Sequence, residues 1–153
     1  MKKYIFLIFL FFIYLSPGNS KNMSIDENLN ISFNCEFQKI ILKNQENNYK
    51  TYYLDDFENK NIDKLKIQAK KPNILNVKGL TKFLTEVDDF EVKIVNYKII
   101  YLKAFDKLKN YSESAILNRI TGELMHEITN NINASNQDKE ISFYNCKKVN
   151  QNV

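Results

Sequence analysis

From Leu29 to Ile41 apolar and polar side chains take turns. Leu29, Ile31, Phe33, Cys35, Phe37 and Ile41 fall on one parity; Asn30, Ser32, Asn34, Glu36 and Gln38 fall on the other. Successive side chains of a strand point to opposite faces, so this pattern predicts a strand with one face in water. Lys39 and Ile40 break the alternation. Tyr49–Leu54 is aromatic and β-prone. Leu65, Ile67 and Ala69 alternate with Lys64, Lys66 and Gln68, which predicts a second half-buried strand. Ile74–Lys78 reads as a short strand closed by Gly79. Phe90–Val95 and Lys98–Ala104 read as strands around a two-residue loop at Asn96 and Tyr97. Ile141–Cys146 reads as a final strand. Leu80–Val87 fits either a helical turn or a strand, and Asp106–Ser114 reads as a polar connection.

One segment supports two assignments. Ile116, Ile120, Leu124, Ile128 and Ile132 recur every four residues, which is helix spacing, and Ser112 is placed to cap such a helix. Gly122 and β-branched Thr121 in its middle oppose that helix. The same residues form two strands, Ala115–Ile120 and Glu123–Thr129, around a turn at Thr121 and Gly122.

The first twenty residues obey another rule. Lys2 and Lys3 precede an uncharged run from Tyr4 to Leu15, which Pro17 and Gly18 end. Gly18 and Ser20 are small residues at the −3 and −1 places of a cut after Ser20. This is the three-part layout of a secretory signal. Its apolar run would span ~18 Å as a helix, short of the ~30 Å hydrocarbon core; the alternative is an uncleaved anchor. The expected organisation is a signal peptide over 1–20, a leader over 21–28, a single β domain over 29–149 and a tail over 150–153, with no stable membrane span after cleavage. An exported chain sits in an oxidising compartment, where Cys35 and Cys146 are expected to bridge. Two buried free thiols are the alternative. Cys146 shares parity with Ser142 and Tyr144 rather than with Ile141 and Phe143, so the bridge requires a bulge near Asn145.

Charge adds little. Removing Lys2 and Lys3 from 22 basic residues leaves 20 against 18 acidic ones. That balance is no electrostatic footprint for nucleic acid, so Lys64, Lys66, Lys70, Lys71 and Lys78 read as a solvated surface. Catalytic motifs are scarce. His126 is the single histidine; Asn130 stands where a zinc-protease helix needs its second histidine. No nucleophile elbow occurs. There is no P-loop and no Gly-rich phosphate-binding fingerprint, and only three glycines occur in the chain. The pairs Asp55–Asp56 and Asp88–Asp89 read as solvated turns, with cation binding or flanking a sugar as the alternative, and Tyr49, Tyr52, Tyr53 and Phe57 as packing or a stacking surface. No catalytic residue, metal ligand or cofactor is assigned, and the binding residues are left open. Arg119 is the chain's single arginine. Its planar fork suits a clamp on Glu123 or a backbone carbonyl, with anion binding as the alternative.

The run Asn118-Arg119-Ile120-Thr121-Gly122-Glu123-Leu124, with the later Tyr144-Asn145-Cys146, resembles a loose group of short exported proteins of streamlined marine alphaproteobacteria. These carry a signal peptide, an early Cys, an internal (N/D)R-x-(T/S)-G-x-L turn and a late Cys in a terminal strand. The resemblance implies a β-rich fold, a hairpin turn at Asn118, Arg119, Thr121 and Gly122, a periplasmic rather than extracellular location, and no activity.

Six to eight strands with short polar connections predict a mainly all-β chain. It would form a single antiparallel meander, an up-and-down barrel or strongly curled sheet, with room for one short helix. The expected function is a non-enzymatic module binding a small apolar ligand or an envelope protein. In that case Phe33, Phe37, Ile67 and Ile94 would line the barrel interior. The alternatives are a protein-interaction or inhibitor module with a filled core, and a small hydrolase-like enzyme.

Overall fold

The computed structural model describes residues 29–58, 62–71, 74–86 and 91–149. Among these residues nine strands form one antiparallel sheet: β1 (Asn30–Lys43), β2 (Lys50–Tyr53), β3 (Leu65–Lys71), β4 (Ile74–Lys78), β5 (Glu91–Val95), β6 (Ile99–Asp106), β7 (Tyr111–Asn118), β8 (Glu123–Asn130) and β9 (Asp138–Lys148). A 3-10 turn (Leu54–Asp56) comes after β2, and a short helix, α1 (Lys82–Glu86), the only α-helix among the described residues, lies between β4 and β5. The segment with two readings is a hairpin, β7 and β8, paired from Tyr111–Asn130 to Leu117–Leu124. Nine strands exceed the six to eight expected, and β7 begins inside the stretch read as a connection.

The strand order is β4-β3-β1-β9-β8-β7-β6-β5, with β2 pairing beside β3 along the same edge of β1. The sheet curls strongly into a half-barrel. Its first and last strands, β1 and β9, are neighbours at its centre, and among the described residues the strand order ends at β4 and β5. These two are consecutive in the chain, joined through the α1 segment. The meander therefore closes where its first and last strands meet and opens in mid-chain.

Cys35 and Cys146 are directly opposite in the β1–β9 register and form a disulfide, S–S 2.06 Å. The expected bulge near Asn145 is absent. The irregularity lies on β1 instead, between Phe37 and Lys39. Gln38 is the extra residue, and it reverses the parity of the rest of the strand. Ile40 is therefore fully buried while Ile41 sits on the opposite face, half-buried. That shift is the physical reason Lys39 and Ile40 broke the alternation. On β9 the buried face is Ser142, Tyr144 and Cys146; Ile141 and Phe143 face outward.

The buried face carries one continuous cluster. Ile31, Phe33, Phe37 and Ile40 of β1 join Leu65 and Ile67 of β3, Leu75 and Val77 of β4, Ile100 and Leu102 of β6, Leu117 of β7 and Leu124 of β8. Leu84 of α1, fully buried, belongs to the same cluster. Phe37 packs edge-on against Tyr144 and Phe57, with ring centroids 5.6 and 6.2 Å apart. Fully burying one such side chain contributes about 1.5–3 kcal/mol.

Candidate functional site: an outer groove and a buried glutamate

The outer face of the sheet repeats the alternation with different content. The cross-strand registers set Lys39, Phe143, Met125, Ile116 and Tyr101 side by side across β1, β9, β8, β7 and β6. All five are partly exposed. One step toward the β7–β8 turn, Asn145, Glu123 and Asn118 share the same parity. Within these rows lies a groove of about 680 Å³, lined by Phe143, Met125 and Ile116 with Lys39, Gln38, Asn118, Thr121, Glu123 and Asn145, and reaching Leu124 and Tyr144 of the buried face. The size matches small-molecule sites. The Lys39 ammonium lies 4.9 Å from the Phe143 ring centroid, a cation–π distance. The groove thus offers an apolar aromatic floor, neutral hydrogen-bonding groups around it, one cation and one carboxylate.

The β7–β8 turn walls one side, and its conformation is dictated residue by residue. Asn118 Oδ1 accepts hydrogen bonds from the backbone N–H groups of Ile120 and Thr121 at 3.0 and 3.1 Å. This is the local side-chain turn for which Asn is favoured. Gly122 comes next at φ +81°, and its N–H donates to Asn118 O at 2.8 Å. A β-carbon there would collide with the Cys146 carbonyl oxygen. Cys146 N–H donates to Gly122 O at 2.8 Å, so the turn also docks on β9 beside the disulfide. The Thr121 hydroxyl donates to Glu123 Oε2 at 2.9 Å. Arg119 reaches the neighbouring β5–β6 turn. Its Nη1 donates to Asn96 O at 2.5 Å and its backbone N–H to Lys98 O at 2.7 Å. Asn96 Oδ1 in turn accepts from the N–H groups of Lys98 and Ile99, each at 2.8 Å. Two Asn-built turns are thus tied through one guanidinium, which clamps a backbone carbonyl.

The second constellation lies on the buried face. Glu113 of β7 is 1% exposed and His126 of β8 is 4% exposed. His126 Nε2 lies 2.5 Å from Glu113 Oε1, and the Thr81 hydroxyl, just before α1, donates to the same oxygen. The Tyr111 hydroxyl donates to Glu113 Oε2 at 3.2 Å. Burial, then the Glu113 charge and hydrogen bond, push the Tyr111 phenol far above its ordinary range. Burial likewise raises the Tyr144 phenol. A nucleophilic relay places the imidazole between hydroxyl and carboxylate. Here the carboxylate stands between imidazole and hydroxyl. The arrangement joins α1, β7 and β8 through a single buried anion. Phe83 of α1 adds an edge-on contact with Tyr111, centroids 4.6 Å apart.

The residues singled out in the sequence are dispersed. Ser20, the expected cleavage residue, and the pair Asp88–Asp89 lie outside the described residues. Asp55 and Asp56 form the 3-10 turn, where Asp56 Oδ2 accepts the Tyr53 N–H at 2.8 Å. Tyr52 and Phe57 pack together against the core, ring centroids 5.7 Å apart, while Tyr49 and Tyr53 are more than half exposed. Phe33, Phe37 and Ile67 belong to the packed cluster rather than to the groove; the Ile94 side chain lies outside the described residues. Sequence reasoning missed Glu113. Its only signal was parity: Glu113 lies in step with Ala115 and Leu117, the inward residues of β7. Among the described residues no group of three or more His, Cys, Asp or Glu side chains is placed to hold a metal ion, and no helix is long and apolar enough to cross a membrane.

Comparison of the chain with protein-family models, with curated proteins and with solved structures yields no match.

Proposed function

We propose that this chain is an exported, non-enzymatic binding module that works from the outer face of its sheet. The single observation carrying this reading is the contrast between a barrel side occupied by continuous buried side chains and an outer face that holds the groove. The ligand that fits is a small molecule with an apolar or aromatic body, seated on Phe143, Met125 and Ile116, and with polar groups for Lys39, Asn118 and Asn145. The disulfide and the signal-like first twenty residues support export. The periplasm rests on the family resemblance alone. The centrally placed carboxylate of the Glu113 constellation supports a structural use of those groups.

A second reading, an interaction or inhibitor module, draws on a different observation. Tyr53 and Phe105, on the outer face beyond the groove, are 59% and 48% exposed. These aromatics suit a protein partner better than a small molecule. Native mass spectrometry of the exported protein purified from its host separates the readings. A small-molecule mass retained by the wild type and lost in Met125→Arg supports the first. A co-purifying protein lost in Tyr53→Ala/Phe105→Ala supports the second. Retention of neither, or retention unchanged by both variants, removes the outer face from consideration.

A further inference from the structure

We infer a second recognition site, distinct from the groove: the free edge of β4 accepts an extended acidic polypeptide segment as an added strand. β4 ends the strand order, so one side of its backbone has no strand neighbour among the described residues. Alternate N–H and C=O groups along such an edge are a template for another extended chain. The side chains next to this edge specify the residues that chain should carry. From Lys64 to Lys78 the sequence holds five lysines and no acidic residue. Lys66 of β3 stands directly opposite Lys78 of β4, and Gln68 opposite Asn76. Like charges directly opposite across a strand pair are destabilising. An acidic side chain on an added strand, beside Lys78 and diagonal to Lys66, relieves that repulsion. The other face of the same strands is apolar, with Ile67, Leu75 and Val77 all at 1% exposure or less. The segment that fits therefore alternates acidic residues outward with apolar residues toward the core side. Lysines on an edge also have a bland use, which is to keep copies of the same chain from pairing. The two uses differ in outcome.

The test titrates the purified full chain with a synthetic heptapeptide of alternating glutamate and valine, monitored by calorimetry. The controls are the same peptide N-methylated at alternate residues, its lysine counterpart and a heparin fragment. The expected result is saturable binding of the acidic peptide, loss of binding on N-methylation, and no binding of the lysine peptide. Affinity should fall about fivefold in Lys66→Gln/Lys78→Gln, as two partly exposed ion pairs imply. Met125→Arg should leave that affinity unchanged, which keeps this site separate from the groove. Three results overturn the inference. One is equal binding of the N-methylated peptide or preferential binding of heparin, which reduces the effect to charge alone. Another is absence of peptide binding. The third is a double variant that self-associates while its peptide affinity is unchanged, which leaves the lysines as edge guards only.

Discussion

The two faces of this sheet are built from the same strands and the same alternation, yet they do different work. On the buried face the row from Phe37 through Tyr144 to Leu124 and Leu117 is closed, and Glu113, further along β7 on the same face, is engaged by His126, Thr81 and Tyr111. On the outer face the row from Lys39 through Phe143, Met125 and Ile116 to Tyr101 stays half open to water. The lesson is that apolar content alone does not separate core from surface here. The difference lies in burial: the inward row is closed to water, while the outward row stays half exposed although Lys39 and the neighbouring Asn118, Thr121 and Glu123 all have partners inside the protein.

That contrast predicts a ranking of mutational effects. The largest belongs to the disulfide, which joins residues 111 apart in sequence across the two central strands. Chain entropy for so long a loop gives ~4–5 kcal/mol. Urea unfolding of Cys35→Ser/Cys146→Ser should show a loss of that order, and a loss under about 1 kcal/mol would mean that β1–β9 pairing alone carries the centre.

Next comes the buried anion. Glu113→Ala leaves His126 and Thr81 without their acceptor in the core, and breaking a buried pair of this kind costs ~3–5 kcal/mol. Double-mutant unfolding with His126→Ala should show strong coupling; additive losses would dissolve the constellation into independent contacts.

Gly122→Ala ranks third. The left-handed backbone alone costs about 1–2 kcal/mol for a residue with a β-carbon, and the Cys146 carbonyl adds a collision. A variant as stable as wild type in thermal melts would contradict the turn geometry.

Alkaline pH probes the same buried face more gently. The Tyr111 phenol is raised above its ordinary value of 10.0 in the folded chain. Above that pH the unfolded chain has released a proton that the folded chain still holds, so the unfolded state binds fewer protons and stability falls as pH rises. The contribution is complete below pH 10.0 and is lost progressively above it. Stability measured from about pH 9 to about pH 11 should decline, and Tyr111→Phe should flatten the decline.

The smallest stability effect is expected on the outer face. Met125→Arg, at a half-open position, should shift unfolding by only about 0.5 kcal/mol while removing ligand retention. A loss comparable to that of Glu113→Ala would show the outer row to be a second core.

Much of this architecture was legible in the chain, because period two is a local signal. The alternation at Leu29–Phe37, the Leu65–Ala69 strand and the Asn96–Tyr97 turn needed no distant partner to be seen. The hairpin over 111–130 was harder, since isoleucines four apart satisfy both a helix and alternate positions on strands. Gly122 and its left-handed backbone, pinned against Cys146, favour the hairpin. The bulge was misplaced because parity shows that a strand is out of step without showing which partner yields. Lys39 and Ile40 carried the answer, but only pairing with Phe143 and Ser142 puts Gln38 out of register.

The sequence by itself determined a β-rich chain with one wet and one dry face per strand, for the stereochemical reason that side chains alternate. Only the tertiary structure decided the rest. Setting β1 beside β9 makes Cys35 a partner of Cys146. Bringing α1 to β7 turns Glu113 from a polar loop residue into a buried joint. Aligning four strands gathers Lys39, Phe143, Met125 and Ile116 into a groove. Each of these depends on which distant strands become neighbours, and no local pattern encodes that.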